Sequence, residues 1–234
     1  MKYGRRIKRD IVEWDVVNWW KFIETIESKS IDCKHKKVLE LGARNGGLSL
    51  YYAKKHARVI CSDVYGPSPL AHELHQKYKV MTNIEYQTID ATNIPDSYKN
   101  QFDFVTFKSV FGGIGAGGNI DKQRKMATNI RKCLKPGGLV IFAENMQASK
   151  IHQFFRERFR TYGTRWHYER EKEIEELFGD FELCHKEYCG VLGCFGWKEW
   201  MRAVLGRLDT ILFEGIFPDK WKYIGIFIYK KPQE

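Results

Sequence analysis

Apolar and polar positions fall into two alternating kinds of block between residues 37 and 145. Short apolar runs at 37–41, 58–64, 84–92, 102–110 and 139–145 read as strands. Between them, residues 47–57, 70–78 and 121–134 repeat apolar positions at helical spacing. Lys135-Pro136-Gly137-Gly138 then reads as a tight turn that ends the last of these helices. Strands that alternate with helices build a mostly parallel sheet covered on both faces. Right-handed crossovers bring the strand ends to one shared edge.

The rhythm changes on either side. Ile11, Trp14, Val17, Trp20, Ile23 and Ile26 predict one amphipathic helix over 11–29, packed by aromatic residues. After residue 146, 150–163 reads as a basic aromatic helix and 172–180 as a short one. Residues 181–189 and 221–231 read as two late strands that pair antiparallel, with a helical insertion at about 190–218 between them. The expected fold class is therefore α/β and Rossmann-like: a mostly parallel seven-stranded sheet with a C-terminal antiparallel hairpin. The expected organisation is an N-terminal helical cap over 1–36 and a single domain over 37–234.

Composition narrows the classes. A chain of 234 residues with 43% hydrophobic and 29% charged residues has the balance of a globular protein. No run approaches the ~18 apolar residues of a membrane span. No apolar segment follows the basic start as in a secretory signal, so the cytoplasm is the expected compartment. The net charge of +10 suits anionic partners: nucleic acid, anionic lipid headgroups or phosphorylated metabolites. Lys2, Arg5, Arg6, Lys8 and Arg9 read as a solvated terminal arm. None of the six cysteines forms a CxxC pair. Cys184, Cys189, Cys194 and His185 are spaced too widely for a zinc knuckle and read as ordinary thiols and a strand histidine.

The chemistry concentrates at the first turn. The run Val38-Leu39-Glu40-Leu41 enters Gly42-Ala43-Arg44-Asn45-Gly46-Gly47, a loop that lets backbone approach a ligand before a helix N-terminus. Asp63 closes the second strand about 20 residues on, where a carboxylate can accept both hydroxyls of a ribose. Asp90, with Ala91 beside it, follows the third strand. This scaffold serves both NAD(P) and S-adenosylmethionine. Glu40 favours the second, because a carboxylate there repels a pyrophosphate and tolerates a sulfonium and an ammonium.

With these motifs, and with "IDATNIP", "FDFVTFKSV" and "LKPGGLVIFAEN" in that order, residues 37–145 resemble the class I S-adenosylmethionine-dependent methyltransferases. Arg44 replaces the middle glycine of that family's E/D-x-G-x-G-x-G pattern. Scattered similarity in "WDVVNWWKFIE", "FKSVFGGIG", "ENMQASKIHQFFRERF" and "PDKWKYIGIFIYKK" resembles small methyltransferases of bacterial capsule and O-antigen sugar biosynthesis.

The resemblance implies S-adenosylmethionine as cofactor and S-adenosylhomocysteine as product. Glu40, Gly42, Ala43, Arg44 and Gly46 would line its methionine and ribose side. Asp63 and Val64 would take the ribose, Asp90 and Ala91 the adenine edge, and Lys108 and Ser109 the region of the methyl donor. Where catechol-type enzymes carry metal-binding acids, this chain has Lys108 and Glu144-Asn145, so no catalytic metal is expected. Methyl transfer to a hydroxyl benefits from a general base. The candidates are His152, ranked first, then Glu144, at a strand end, and His167. Asn145, Arg156 and Trp166 are candidate acceptor contacts; Arg156, Arg158, Arg160 and Arg165, interleaved with Phe155, Phe159 and Tyr162, could grip a nucleotide-linked sugar or single-stranded RNA. The same pattern also suits an amphipathic helix with Phe inward and Arg outward.

The leading reading is methylation of a small acceptor, a sugar hydroxyl on a nucleotide-linked or saccharide precursor. An RNA methyltransferase and a non-catalytic binding protein of the same fold are the alternatives, and nucleic acid is not the expected partner. The aromatic N-terminal helix and residues 191–218 are open to roles as homodimer interface or substrate lid.

Overall fold

In a computed structural model, residues 3–159 and 166–233 are described. The seven strands are β1 (Lys37–Glu40), β2 (Arg58–Asp63), β3 (Ile84–Thr88), β4 (Phe102–Lys108), β5 (Leu134–Asn145), β6 (Glu182–Cys189) and β7 (Ile224–Lys230). They form one sheet in the order β3-β2-β1-β4-β5-β7-β6. Pairing is parallel from β3 to β5, whereas β7 runs antiparallel to both β5 and β6. The chain direction across the sheet reverses between β1 and β4, and a ligand crevice opens at such a point.

Helices cover both faces: α1 (Arg5–Val12), α2 (Val16–Ser28), α3 (Gly47–Lys54), α4 (Pro69–Lys77), α5 (Phe111–Ile114), α6 (Ile120–Cys133), α7 (Lys150–Phe159), α8 (Glu171–Leu177) and α9 (Glu199–Leu208). Alternate residues of each strand feed two separate cores. Val38, Val59, Ile141 and Ile226 join Trp19, Phe22, Ile23 and Tyr52 on one face. Leu39, Ile60, Phe142 and Phe227 join Met126, Ile130 and Ile174 on the other. In that second core Phe142 stacks on Phe107, Phe178 and Phe227, with ring centroids 4.6, 5.0 and 5.1 Å apart. Local signals place some helix starts: Pro69 opens α4, and the Asn119 side chain accepts the Lys122 N–H at 3.3 Å to cap α6.

Three boundaries differ from the sequence reading. The helix expected over 11–29 is two helices, because Glu13 (φ 70°) and Asp15 (φ 45°) are left-handed. Asp15 is fully buried, its carboxylate accepts the Tyr223 hydroxyl, and tertiary bonding therefore overrides the helical periodicity. The basic start is not a loose arm, since Arg5–Val12 is helical; Lys2 lies outside the described residues. Lys135–Gly138 is not a turn beside the sheet but part of β5. Leu134 pairs with Phe102, the ladder resumes at Leu139 with Phe104, and Gly137 (φ 73°) lies in the irregularity between.

The N-terminal helices share the first core and also reach the ligand edge. A Cβ placed on Gly47 would overlap the backbone carbonyl of Ile11, so α1 crosses directly on the start of α3. The insertion between β6 and β7 is helical, as expected. A Cβ on its Gly206 would lie 2.9 Å from Val17 Cβ, so α9 lies close against α2.

Candidate active site

The loop after β1 is held from several sides. Ala43 N–H donates to Ser62 O at 2.8 Å, and Gly46 N–H donates to Ala43 O at 2.7 Å. Gly42 (φ 64°) and Gly46 (φ 74°) are both left-handed. Arg44 is left-handed too (φ 47°), which is why this position favours glycine. The turn keeps its shape with arginine in place. The Arg44 guanidinium is exposed and lies 3.7 Å from Glu13.

Glu40 is buried beneath that loop. Its Oε2 accepts the Ser49 backbone N–H at 2.7 Å and also the Ser49 hydroxyl. Burial pushes its pKa up to about 7 against the pull of these bonds. The first-turn N–H of α3 that a phosphate would seek therefore already has a carboxylate partner.

Asp63, at the end of β2, accepts the Arg44 N–H at 3.0 Å through Oδ2, while its Oδ1 has only a long contact, 3.4 Å, to Tyr65 N. Val64 and Tyr65 follow as exposed side chains. Asp90 is exposed beyond β3 and closes a local turn, with Oδ1 accepting the Thr92 N–H and hydroxyl at 2.8 Å each. Ala91 is buried beside it. Glu40, Asp63 and Asp90 thus lie at or just beyond three neighbouring strand ends. Their environments differ: one is sealed, one ties down the loop and one closes an exposed turn.

Lys108 ends β4 with its ammonium 4.6 Å from the Trp19 ring centre and 5.8 Å from that of Trp14. Burial lowers its pKa, opposed by Glu13, Glu144 and Glu40. Ser109 is left-handed (φ 58°), and its hydroxyl accepts Asn145 Nδ2–H at 2.8 Å.

The three candidate bases are placed as follows. Glu144 is fully buried; Oε2 accepts the Val110 and Phe111 N–H groups at 2.8 and 2.9 Å, and Oε1 accepts the Asn145 N–H at 3.2 Å. Burial raises its pKa to about 7. The carboxylate anchors the β4–α5 connection and faces backbone rather than a ligand. His152 is also buried, with Nε2 2.6 Å from Val191 O and Nδ1 2.7 Å from Ser149 Oγ. The carbonyl can only accept, so Nε2 carries the proton and Nδ1 accepts from Ser149. Both nitrogens are engaged, and burial lowers the pKa. His167 Nε2 lies 3.3 Å from Glu173 Oε1, and its backbone N–H donates to Gly112 O at 3.0 Å. Glu144 and His152 are thus turned to protein partners, whereas His167 Nε2, though near Glu173, is buried and makes no hydrogen bond among the described residues.

Asn145, His152, Phe155, Arg156, Tyr168, Phe195 and Tyr223 surround a cavity of about 30 Å³, closed on another side by Trp14. Arg156 stacks on Tyr168 at 3.8 Å and donates to the Met146 and Gln147 carbonyls at 2.9 and 3.0 Å. Its geometry is that of a strut in the wall, which departs from the expected diphosphate grip. Trp166 packs on the α5 glycines: a Cβ on Gly112 would lie 3.0 Å from its ring. The glycine-rich segment after β4 is thus closely approached there. Arg160, Tyr162 and Arg165 lie outside the described residues. Cys184 is exposed, whereas Cys189 and Cys194 are buried. Among the described residues no helix is long and apolar enough to cross a membrane.

The sequence reading missed three residues here. His75 is fully buried and bonds the loop carbonyl of Gly46 at 2.8 Å. Glu169 is fully buried; its Oε1 accepts Gln123 Nε2–H at 2.5 Å, and its Oε2 has no hydrogen-bond partner. Its carboxyl is held well above the usual range by burial and then by Glu144. Tyr223 lines the cavity. No spacing marks these residues, because each meets the site through a long-range contact.

Comparison with known proteins agrees with this geometry. A methyltransferase domain family matches residues 39–142. A ubiquinone biosynthesis O-methyltransferase of Acinetobacter baumannii (strain AYE) is 28% identical over 139 residues, 59% of this chain and 53% of that protein. One from Pseudomonas fluorescens (strain Pf0-1) is 32% identical over 123 residues, 51% of this chain and 48% of that protein. The chain therefore spans about half the length of the curated relatives it matches. Among solved structures, Haemonchus contortus phosphoethanolamine N-methyltransferase 2 in complex with S-adenosyl-L-methionine superposes with a TM-score of 0.64, at 18% identity, over 92% of this chain and 53% of that one. Residues 39–142 match a methyltransferase domain family, and the chain shares the fold of the solved methyltransferase on which it superposes.

Proposed function

We propose that the chain transfers a methyl group from S-adenosylmethionine to a hydroxyl on a small ring-bearing acceptor. The observation that carries the reading is the bond from Glu40 to Ser49 N–H, 2.7 Å long. It takes up a first-turn donor of α3 that the pyrophosphate of a dinucleotide would need. S-adenosylmethionine, which has no phosphate, makes no such demand on that turn. The weakly engaged Oδ1 of Asp63 suits ribose hydroxyls.

S-adenosylmethionine supplies an electrophilic methyl carbon. The chain's own part is to align the acceptor and exclude water, from which much of the rate derives. The aromatic cavity beyond Asn145 suits the flat face of a sugar or a phenol. Its volume of about 30 Å³ holds about one water, so an acceptor ring requires Phe155 and Phe195, now 5.1 Å apart, to separate. The O-methyltransferase activity of the curated relatives supports oxygen as the acceptor atom. A sugar hydroxyl remains within this reading. Its nucleotide-linked form loses support, because Arg156 is committed to Met146, Gln147 and Tyr168.

Calorimetric titration tests the proposal. S-adenosylmethionine and S-adenosylhomocysteine should bind at micromolar concentration and NADH should not. Asp63→Ala should weaken both by about 100-fold, the worth of two hydrogen bonds to a charged group. NADH binding in preference to both would overturn the assignment. With the cofactor established, phenols and free sugars are the acceptors to screen.

A further inference from the structure

A large groove lies away from the strand ends, between α1, α2 and the insertion helix α9, with a volume of about 1070 Å³. Arg5, Arg6, Arg9 and Arg207 line it and are exposed. None of the four makes an ion pair or side-chain hydrogen bond among the described residues. The two acids along the groove are already engaged. Glu24 lies 3.9 Å from Lys8, and Glu199 accepts the Asp15 and Val16 N–H groups at 3.0 and 2.9 Å. The four guanidiniums thus make no close ion pair, Arg6 having only a longer-range attraction to Asp10, which is already bonded to Lys77 and Tyr78, and they stand beside a lining that contains Trp200, 62% exposed, and Ile211, 75% exposed.

We infer that this face docks on an anionic phospholipid surface. Charge complementarity identifies the occupant: guanidiniums pair with phosphates, and juxtamembrane cations each contribute to binding at such a surface. The apolar residues decide between lipid and nucleic acid. A base-stacking site needs aromatic faces, whereas an exposed aliphatic side chain such as Ile211 gains nothing from a phosphate backbone and gains burial among acyl chains. Trp200 beside it has the amphipathic ring that settles at headgroup level. The chain would lie on the bilayer, in keeping with its lack of any spanning helix among the described residues.

The experiment is co-sedimentation with vesicles of phosphatidylcholine alone or mixed with phosphatidylglycerol. The protein should sediment with the mixed vesicles only, less so as salt rises. Arg5→Glu with Arg6→Glu should lower partitioning by at least about 25-fold, taking about fivefold for each cation. Trp200→Ser with Ile211→Ser should lower it several-fold. Both variants should keep the wild-type melting temperature and cofactor affinity, since all four side chains are exposed and α1 meets the loop through the Ile11 carbonyl instead. Arg207→Glu provides a single-site version. Equal partitioning on the two vesicle types, or none on either, would overturn the inference. So would binding indifferent to Trp200 and Ile211 but displaced by short single-stranded RNA, which would mark a nucleic-acid surface.

Discussion

His75 Nε2 lies 2.8 Å from the carbonyl oxygen of Gly46, and its Nδ1 lies 2.8 Å from the Tyr86 hydroxyl. The carbonyl fixes the proton on Nε2, and Tyr86 then donates to Nδ1. Burial lowers the imidazole's pKa, which keeps it neutral for this task. A residue of α4 thereby holds the glycine loop after β1 in shape from behind. His75→Ala should weaken S-adenosylmethionine binding about tenfold, close to the worth of one hydrogen bond. Tyr86→Phe should do so to a smaller extent. Unchanged affinity in His75→Ala would show that the loop holds itself.

Gly46→Ala is expected to cost more. The backbone there is left-handed, at φ 74°, and the added Cβ would lie 2.5 Å from His75 Cε1. Strain of ~1–2 kcal/mol adds to the displacement of His75. Denaturant melts should show a loss of at least ~2 kcal/mol, together with weaker cofactor binding.

Stability should fall as pH rises from about 4.5 to about 7. Asp15, Glu40 and Glu144 are each raised to about 7, with burial as the largest cause. In that window the folded chain holds protons that the unfolded chain has released, so raising the pH favours unfolding. His75 and His152 act oppositely: their lowered pKa values destabilise the fold as pH falls below the usual histidine range. The two effects overlap in the same window, and the three carboxyls outweigh the two imidazoles, so the histidines blunt the fall without reversing it. Asp15→Asn should flatten the fall in a melting series; an unaltered slope would remove Asp15 from the account.

Turnover separates anchoring from base catalysis at Glu144. In Glu144→Gln an amide NH₂ must replace a carboxylate oxygen that accepts backbone N–H groups. Melting temperature should drop while kcat falls less than tenfold. A loss of ~100-fold or more at unchanged stability would restore the carboxylate as general base. His152→Asn should behave in the same way, for its two nitrogens are taken by Ser149 and Val191.

Much of this architecture was legible in the chain because it is local. Strands β1 to β5 and their helices follow from apolar periodicity, and the left-handed Gly42 and Gly46 follow from residue type. The position of Asp63, at the end of β2 and within reach of the loop, was legible from spacing, whereas the bond it accepts from Arg44 N–H was not. The break at Glu13–Asp15 was not, because it depends on Tyr223, 208 positions from Asp15. Which partners Glu144 and His152 face was not legible for a similar reason. A titratable side chain at a strand end looks the same in sequence whether it faces a ligand or the backbone N–H groups of Val110 and Phe111. Arg156 likewise carries a charge whose carbonyl partners leave no compositional trace.

The contact between Ile11 and Gly47 makes the amino-terminal segment something other than an appendage. Its carbonyl rests where a side chain on the third helix would have stood, so the two helices can meet only while residue 47 lacks one. The helix Arg5–Val12 then acts as a keystone beneath the loop after β1. Removing it would open the underside of that loop to water while every residue of the loop itself stayed in place.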